Sequence, residues 1–180
     1  MKNPSLLVVS DTHGHKGSLI AVLRWAQRYR QADALVFLGD GAGDLSQALA
    51  QTGFAAPWKA VKGNGDYDAP FPPFDTLDFA GRRFFLTHGH LHSLLEGFDF
   101  LAASAKSHGA GAALFGHTHI PFWEEYGGLL LLNPGSLGRP RSSHGPSFAV
   151  IECPENEWFK IHYWSLREGP LGKTIREMDL

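Results

Sequence analysis

The chain has 180 residues, 43% hydrophobic, 12% aromatic and 19% charged, enough apolar material for one sizeable core and too little chain for two ordinary domains, so a single domain over 1–180 is expected. Sixteen Lys plus Arg against eighteen Asp plus Glu leave a formal charge of -2, which removes any general electrostatic reason to coat nucleic acid or an acidic membrane. The single cysteine, Cys153, excludes an internal disulfide and a thiolate zinc site and fits a reducing compartment.

The first residues carry Lys2 and then a short apolar run that ends at Asp11 with no small-residue cleavage site, so no signal peptide is expected. No stretch approaches the roughly 18 apolar residues of a spanning helix, and the expected location is the cytoplasm, with no membrane partner. Residues 5–10 read as a buried strand, followed by a helix over 18–30 with Leu19, Val22, Leu23 and Ala26 at helical spacing. A second strand over 34–38 leads to a helix from about 44 to 51, and a third strand covers 58–61. The Pro-rich stretch 62–75 should form a surface loop.

From there the pattern turns to hairpins. Residues 76–79 and 83–87 flank a turn at Ala80 and Gly81, a helix is expected over about 93–107, and 112–115 is a short strand. Residues 122–126 and 129–132 pair across Gly127-Gly128, and 148–153 pairs with 158–165. Early strand-helix units followed by hairpins predict an α/β fold: a four-layer α-β-β-α sandwich of two mixed sheets flanked by helices.

The ends of these strands concentrate oxygen and nitrogen donors: Asp11 and His13, then Asp40, Asn64, His88, and finally His117 with His119. Such a mixed set suits hard to borderline divalent ions, whereas structural zinc would normally take thiolates. Seven side chains are too many for one tetrahedral ion; with one carboxylate bridging they divide into two sets of four, the arrangement of two-metal phosphoryl chemistry. Any one of these residues alone would be unremarkable, a turn, a cap or a surface histidine. Their joint occurrence, each set after a short β run, is what points to a site.

The sequence here resembles the calcineurin-like metallophosphoesterase superfamily, and most closely its small single-domain bacterial and archaeal phosphodiesterases. The resemblance rests on Ser10-Asp11-Thr12-His13-Gly14, Leu38-Gly39-Asp40, Val61-Lys62-Gly63-Asn64-Gly65-Asp66, Thr87-His88-Gly89-His90, Phe115-Gly116-His117-Thr118-His119 and Asn133-Pro134-Gly135-Ser136. It implies two divalent ions per chain, Mn2+ favoured and Fe, Zn, Ni or Co as alternatives. Asp11, His13 and His119 would hold one, Asn64, His88 and His117 the other, and Asp40 would bridge them. The implied activity is hydrolysis of a small phosphodiester by a hydroxide bridging the two ions.

Many superfamily members carry a histidine directly after the metal-binding Asn; this chain has Gly65, followed by Asp66. That leaves the proton donor to the leaving group open among Asp66, His90 and a metal-bound water, with His90 alternatively a phosphate contact. Arg139, with Arg141, offers guanidinium groups to a phosphate, the competing reading being surface charge. His15, and the aromatics Phe71, Phe74, Phe122 and Trp123, read as surface or packing residues, although exposed aromatics would permit a homodimer. The rival functions are a phosphomonoesterase, a dinucleoside polyphosphate hydrolase, and a non-catalytic metal-binding scaffold for protein interaction.

Overall fold

A computed structural model describes residues 2–29, 31–169 and 172–180. The chain runs β1 (Ser5–Val9), α1 (Lys16–Tyr29), β2 (Ala34–Phe37), α2 (Ala42–Thr52), β3 (Trp58–Ala60), β4 (Phe74–Phe79) and β5 (Arg82–Thr87). It continues through α3 (Asp99–Ser107), β6 (Ala112–Leu114), β7 (Pro121–Tyr126), β8 (Leu129–Pro134), β9 (Ser147–Glu152), β10 (Lys160–Gly169) and β11 (Gly172–Met178).

The strands form two mixed sheets, one ordered β11-β10-β9-β1-β2-β3 and the other β4-β5-β6-β8-β7. In the first, β1 is parallel to β2 and antiparallel to β9; in the second, β6 lies parallel to both β5 and β8. Because side chains alternate across a strand, Leu6 and Val8 face one way and Leu7 and Val9 the other, so a strand buried on both faces reads as an unbroken apolar run. Leu6 and Val8 join Val36, Phe84, Leu114 and Leu130 in the core between the sheets. Leu7 and Val9 pack with Leu19, Val22 and Leu45 beneath α1 and α2, while Phe85, Ala113 and Leu131 meet Leu101 and Ala105 of α3. These three cores separate four layers, the α-β-β-α sandwich expected from the strand order. No helix among the described residues is long and apolar enough to cross a membrane.

Three expectations change. The helix expected over 93–107 begins only at Asp99, because Ser93 (φ 47°) and Gly97 (φ 124°) leave the helical region and the chain forms isolated turns instead. The last strand extends beyond 165 to Gly169 and is followed by β11, which the sequence reading missed; its residues are exposed apart from the half-buried Ile175 and Met178. The predicted end of the first helix, Arg30, lies outside the described residues.

A candidate metal centre at the strand ends

The two sheets present their chemistry at adjoining edges because the loops that leave β1, β2, β3, β5 and β6 are laced together by backbone hydrogen bonds. Asp11 N donates to Gly39 O (2.9 Å) and His13 N to Asp40 O (3.0 Å) in one sheet, Gly116 N to His88 O (2.9 Å) in the other, and Gly138 N to Asp11 O (3.0 Å) across the two. The loops approach so closely that a Cβ on Gly63 would lie 2.0 Å from Asp40 Oδ1, and one on Gly116 2.2 Å from Ser10 Oγ. Among the described residues seven non-glycine positions have positive φ, and five of them are Asp11, His13, Asp40, His117 and His119. Backbone held in this costly region clusters where the surrounding structure must aim side chains at a site.

Each carboxylate has one oxygen occupied by the protein and the other turned to the imidazoles. Asp11 Oδ2 accepts from Ser10 Oγ at 2.5 Å and from the His117 amide at 3.1 Å. Its Oδ1 lies 3.0 Å from His119 Nε2, 3.5 Å from His13 Nε2 and 3.8 Å from His88 Nε2. Asp40 Oδ1 accepts from the Gly65 amide at 2.7 Å, and its Oδ2 sits 3.6 Å from His13 Nε2 and 3.5 Å from His88 Nε2.

The histidines are oriented from behind. His88 Nδ1 donates to Leu38 O (2.7 Å) and His119 Nδ1 to Arg139 O (2.8 Å), which leaves each Nε2 facing the carboxylates, the orientation that metal-ligating imidazoles typically have. Burial alone would push the Asp11 carboxyl up, but His119, His13 and His88 with the Ser10 hydroxyl outweigh it and hold the group well below the usual range. Asp11 in turn draws the His119 imidazole upward.

Two triads of donor atoms result, Asp11–His13–His119 and Asp11–Asp40–His88, with the atoms of each triad within 4.8 Å of one another. Asp11 Oδ1 and His88 Nε2 are buried without any hydrogen-bond partner among the described residues. Unpartnered buried polar atoms are costly, and a divalent cation would satisfy both at once, so this donor set of carboxylate oxygens and imidazole nitrogens fits a metal.

The other residues singled out from sequence are placed as follows. Asn64 is held beside Asp40 by its neighbours Gly63 and Gly65, yet its side chain is exposed and makes no hydrogen bond among the described residues. His117 is exposed and belongs to neither triad, its ring 5.2 Å from that of His88. His90 lies 5.5 Å from the His88 ring, with its Nδ1 buried and unpartnered. Burial, then the charges of His88 and His117, lower its pKa. Arg139 contributes its carbonyl to His119, while its exposed guanidinium has no partner among the described residues. Asp66 is engaged by backbone amides, described below.

Sequence reasoning gave no role to several residues that hold these loops. Asn133 Nδ2 donates to Gly116 O (2.7 Å) and Thr118 Oγ1 (3.0 Å), and Ser136 Oγ donates to Asp11 O (2.8 Å). Asp44 accepts from Thr12 Oγ1 (2.6 Å) and the Gly14 amide (2.8 Å), tying the first loop to α2. Their signal was present as a small polar residue after β8 and an acid in the first turn of a helix, patterns too common to read alone.

Known proteins are similar in sequence and in fold. Residues 5–156 match the calcineurin-like phosphoesterase superfamily domain. The chain is 30% identical to the probable metallophosphoesterase YsnB of Bacillus subtilis, covering 89% of this chain and 90% of that protein. It is 31% identical to the phosphodiesterase YfcE of Escherichia coli K12, over 82% of this chain and 86% of YfcE. A conserved uncharacterized protein of Streptococcus pneumoniae TIGR4, described as a "predicted phosphoesterase", superposes with a TM-score of 0.76 at 29% identity over 99% of both chains. Zinc-complexed Vps29 of Entamoeba histolytica shares the fold, at a TM-score of 0.74 and 22% identity over 97% of this chain and 98% of that one. The chain therefore belongs to the calcineurin-like phosphoesterase superfamily, a family of metal-dependent hydrolases of phosphate esters.

Proposed function

We propose that this chain hydrolyses small phosphodiesters at a centre of two divalent ions. The observation that carries the reading is the pairing of Asp11 and Asp40: one oxygen of each is fixed by hydrogen-bond donors from the protein, and the other meets imidazole nitrogens within 4 Å. Asp11, His13 and His119 would hold one ion, and His88 with Asn64 and His117 the other, with Asp40 bridging them. Asp11 lies within reach of both groups, and Asn64 and His117 would turn inward from the surface. When bound, such ions activate water as a nucleophile and neutralise phosphoryl oxygens.

The protein's own side chains orient and hold. His90, whose ring stands 5.5 Å from that of His88, would bond a phosphoryl oxygen. Arg139 gives its own carbonyl to His119, and its exposed guanidinium would suit a substrate oxygen. Gly65 stands where many superfamily members carry a leaving-group histidine, which favours diesters with good leaving groups, and the identity to a phosphodiesterase points the same way.

The test is to strip the protein with chelator, restore Mn2+, and compare initial rates on an aryl phosphodiester and its monoester, with Asp40→Ala alongside. Diester turnover should exceed monoester turnover, and the variant should lose more than about a hundredfold, beyond what loss of an outer partner usually costs. Monoester preference would make the protein a phosphatase. Inactivity with Mn2+, Ni2+, Co2+, Zn2+ and Fe2+ would leave a metal-binding interaction module.

A further inference from the structure

Helix α2 starts without a capping side chain of its own, since the preceding residue is Gly41 and no side-chain bond closes the helix end from that position. The first amides of a helix have no intrahelical acceptor and must find one elsewhere. They find it on a different loop. Asp66 Oδ1 accepts from Gly41 N and Ala42 N, both at 2.9 Å, while Asp66 Oδ2 accepts from Asp40 N at 2.7 Å and from Gly63 N at 3.0 Å. Two donors fall on each oxygen. The arrangement is reciprocal, because the Gly65 amide of the Asp66 loop donates to Asp40 Oδ1 at 2.7 Å.

Asp40 sits at φ 56° between Gly39 at φ 94° and Gly41 at φ 150°, a run of backbone that has no regular hydrogen-bonding pattern to hold it. The Asp11 and His13 amides hold its carbonyls from the first loop, and its own amides and the Asp40 side chain are held by the Asp66 carboxylate and the Gly65 amide. We propose that Asp66 is a positioning residue: it clasps the loops after β2 and β3 and thereby sets the direction in which Asp40 Oδ2 points toward His13 and His88. The proposal rests on the metal-centre reading given above, and it replaces the role of proton donor for Asp66. A proton on either of its oxygens would face two N–H donors, so the group works here only as an acceptor.

The same geometry makes Asp66→Asn a severe change despite its equal size. Whichever way the amide is turned, its NH2 meets two backbone N–H groups, and one pair of amides loses its acceptor. A proton-donor role and a positioning role then separate experimentally. Loss of a proton donor harms alkyl diesters, whose leaving groups need protonation, far more than aryl diesters, and leaves metal binding intact. Loss of position weakens metal binding and slows both substrates alike.

The experiment titrates chelator-stripped wild type and Asp66→Asn with Mn2+ by calorimetry, measures kcat on one aryl and one alkyl phosphodiester, and follows amide hydrogen exchange in the metal-free wild type. Expected are Mn2+ binding weakened about tenfold or more in the variant, an equal fractional fall in kcat for both substrates, and slow exchange at Gly41 and Ala42. Wild-type Mn2+ binding in the variant, whether kcat falls for the alkyl substrate alone or not at all, overturns the proposal. Should Asp66→Asn fail to fold, the exchange data decide, since unprotected Gly41 and Ala42 amides in the wild type would show that Asp66 does not clasp them. A wild type that binds no Mn2+ overturns the metal-centre reading itself, and protected amides would then leave Asp66 a cap of α2 and nothing more.

Discussion

His88 Nδ1 donates to the backbone carbonyl of Leu38 at 2.7 Å, so the residue that follows β5 in one sheet is aimed by the residue that follows β2 in the other. The bond leaves Nε2 buried, unpartnered and 3.5 Å from Asp40 Oδ2. Replacing His88 with Ala removes that nitrogen and leaves the Leu38 carbonyl without its donor. A ligand that binds only the folded state stabilises it by about 2.7 kcal/mol at a hundredfold excess over its Kd. Mn2+ should therefore raise the melting temperature of the wild type by several degrees and that of His88→Ala by much less. An equal shift in the two proteins would remove His88 from the metal centre.

Asn64 makes the opposite prediction for the metal-free protein. Its side chain is exposed and without a hydrogen bond among the described residues, so Asn64→Ala should change stability in chelator by no more than about 0.5 kcal/mol, the range of ordinary surface changes. With Mn2+ present the same variant should lose most of its diesterase activity. Urea melts in chelator beside rates in Mn2+ check both halves, and retained activity would exclude Asn64 as a ligand.

Where strands are buried on both faces, as in β1 and β2, the fold was legible as unbroken apolar runs, and Asp11, His13 and Asp40 stood out because they close such runs. β11 was not legible because its Lys173, Thr174, Arg176 and Glu177 are exposed and its place is set by backbone pairing with β10. The truncation of α3 was hidden for a related reason, since Ser93 and Gly97 interrupt a stretch whose apolar spacing still looks helical. Within the site, residue types were readable but not partners. Asp66 and Asp44 look alike as acids near glycine-rich turns, and only the approach of loops distant in sequence shows that each binds amides of another segment.

Tyr163 joins the two sheets through backbone carbonyls. From β10 its hydroxyl is shared between Phe122 O (2.7 Å) and Asn133 O (2.8 Å) on β7 and β8, and burial pushes its pKa far above the ordinary tyrosine value. Tyr163→Phe keeps the ring and removes the hydroxyl that bridges these two carbonyls, on strands that stay paired with each other. Losing one buried hydrogen bond of this kind costs about 0.5 to 1.5 kcal/mol. Denaturant melts should show a loss of that size, equal with and without Mn2+, while the folded variant keeps its kcat. A loss that appeared only with metal would place Tyr163 in the site's support instead.

His92 gives a prediction in pH. It is 5% exposed, its ring lies 5.8 Å from that of Phe85 and 5.3 Å from that of Phe100, and burial lowers its pKa below the ordinary 6.5. In the unfolded chain the imidazole takes a proton as the pH falls through about 6.5, whereas in the folded chain it resists. The unfolded state then binds more protons, so stability is fully present above that pH and declines as the solution becomes more acidic, down to the folded pKa. His90 and His117, lowered by burial and neighbouring charge, act in the same direction; His119, raised by Asp11, opposes them. In chelator the wild type should thus lose stability between pH 7.5 and about 5.5. His92→Phe, which removes one lowered group and leaves the others, should show a shallower decline in paired urea melts. An unchanged slope would mean that His92 protonates in the folded protein as readily as in the unfolded one.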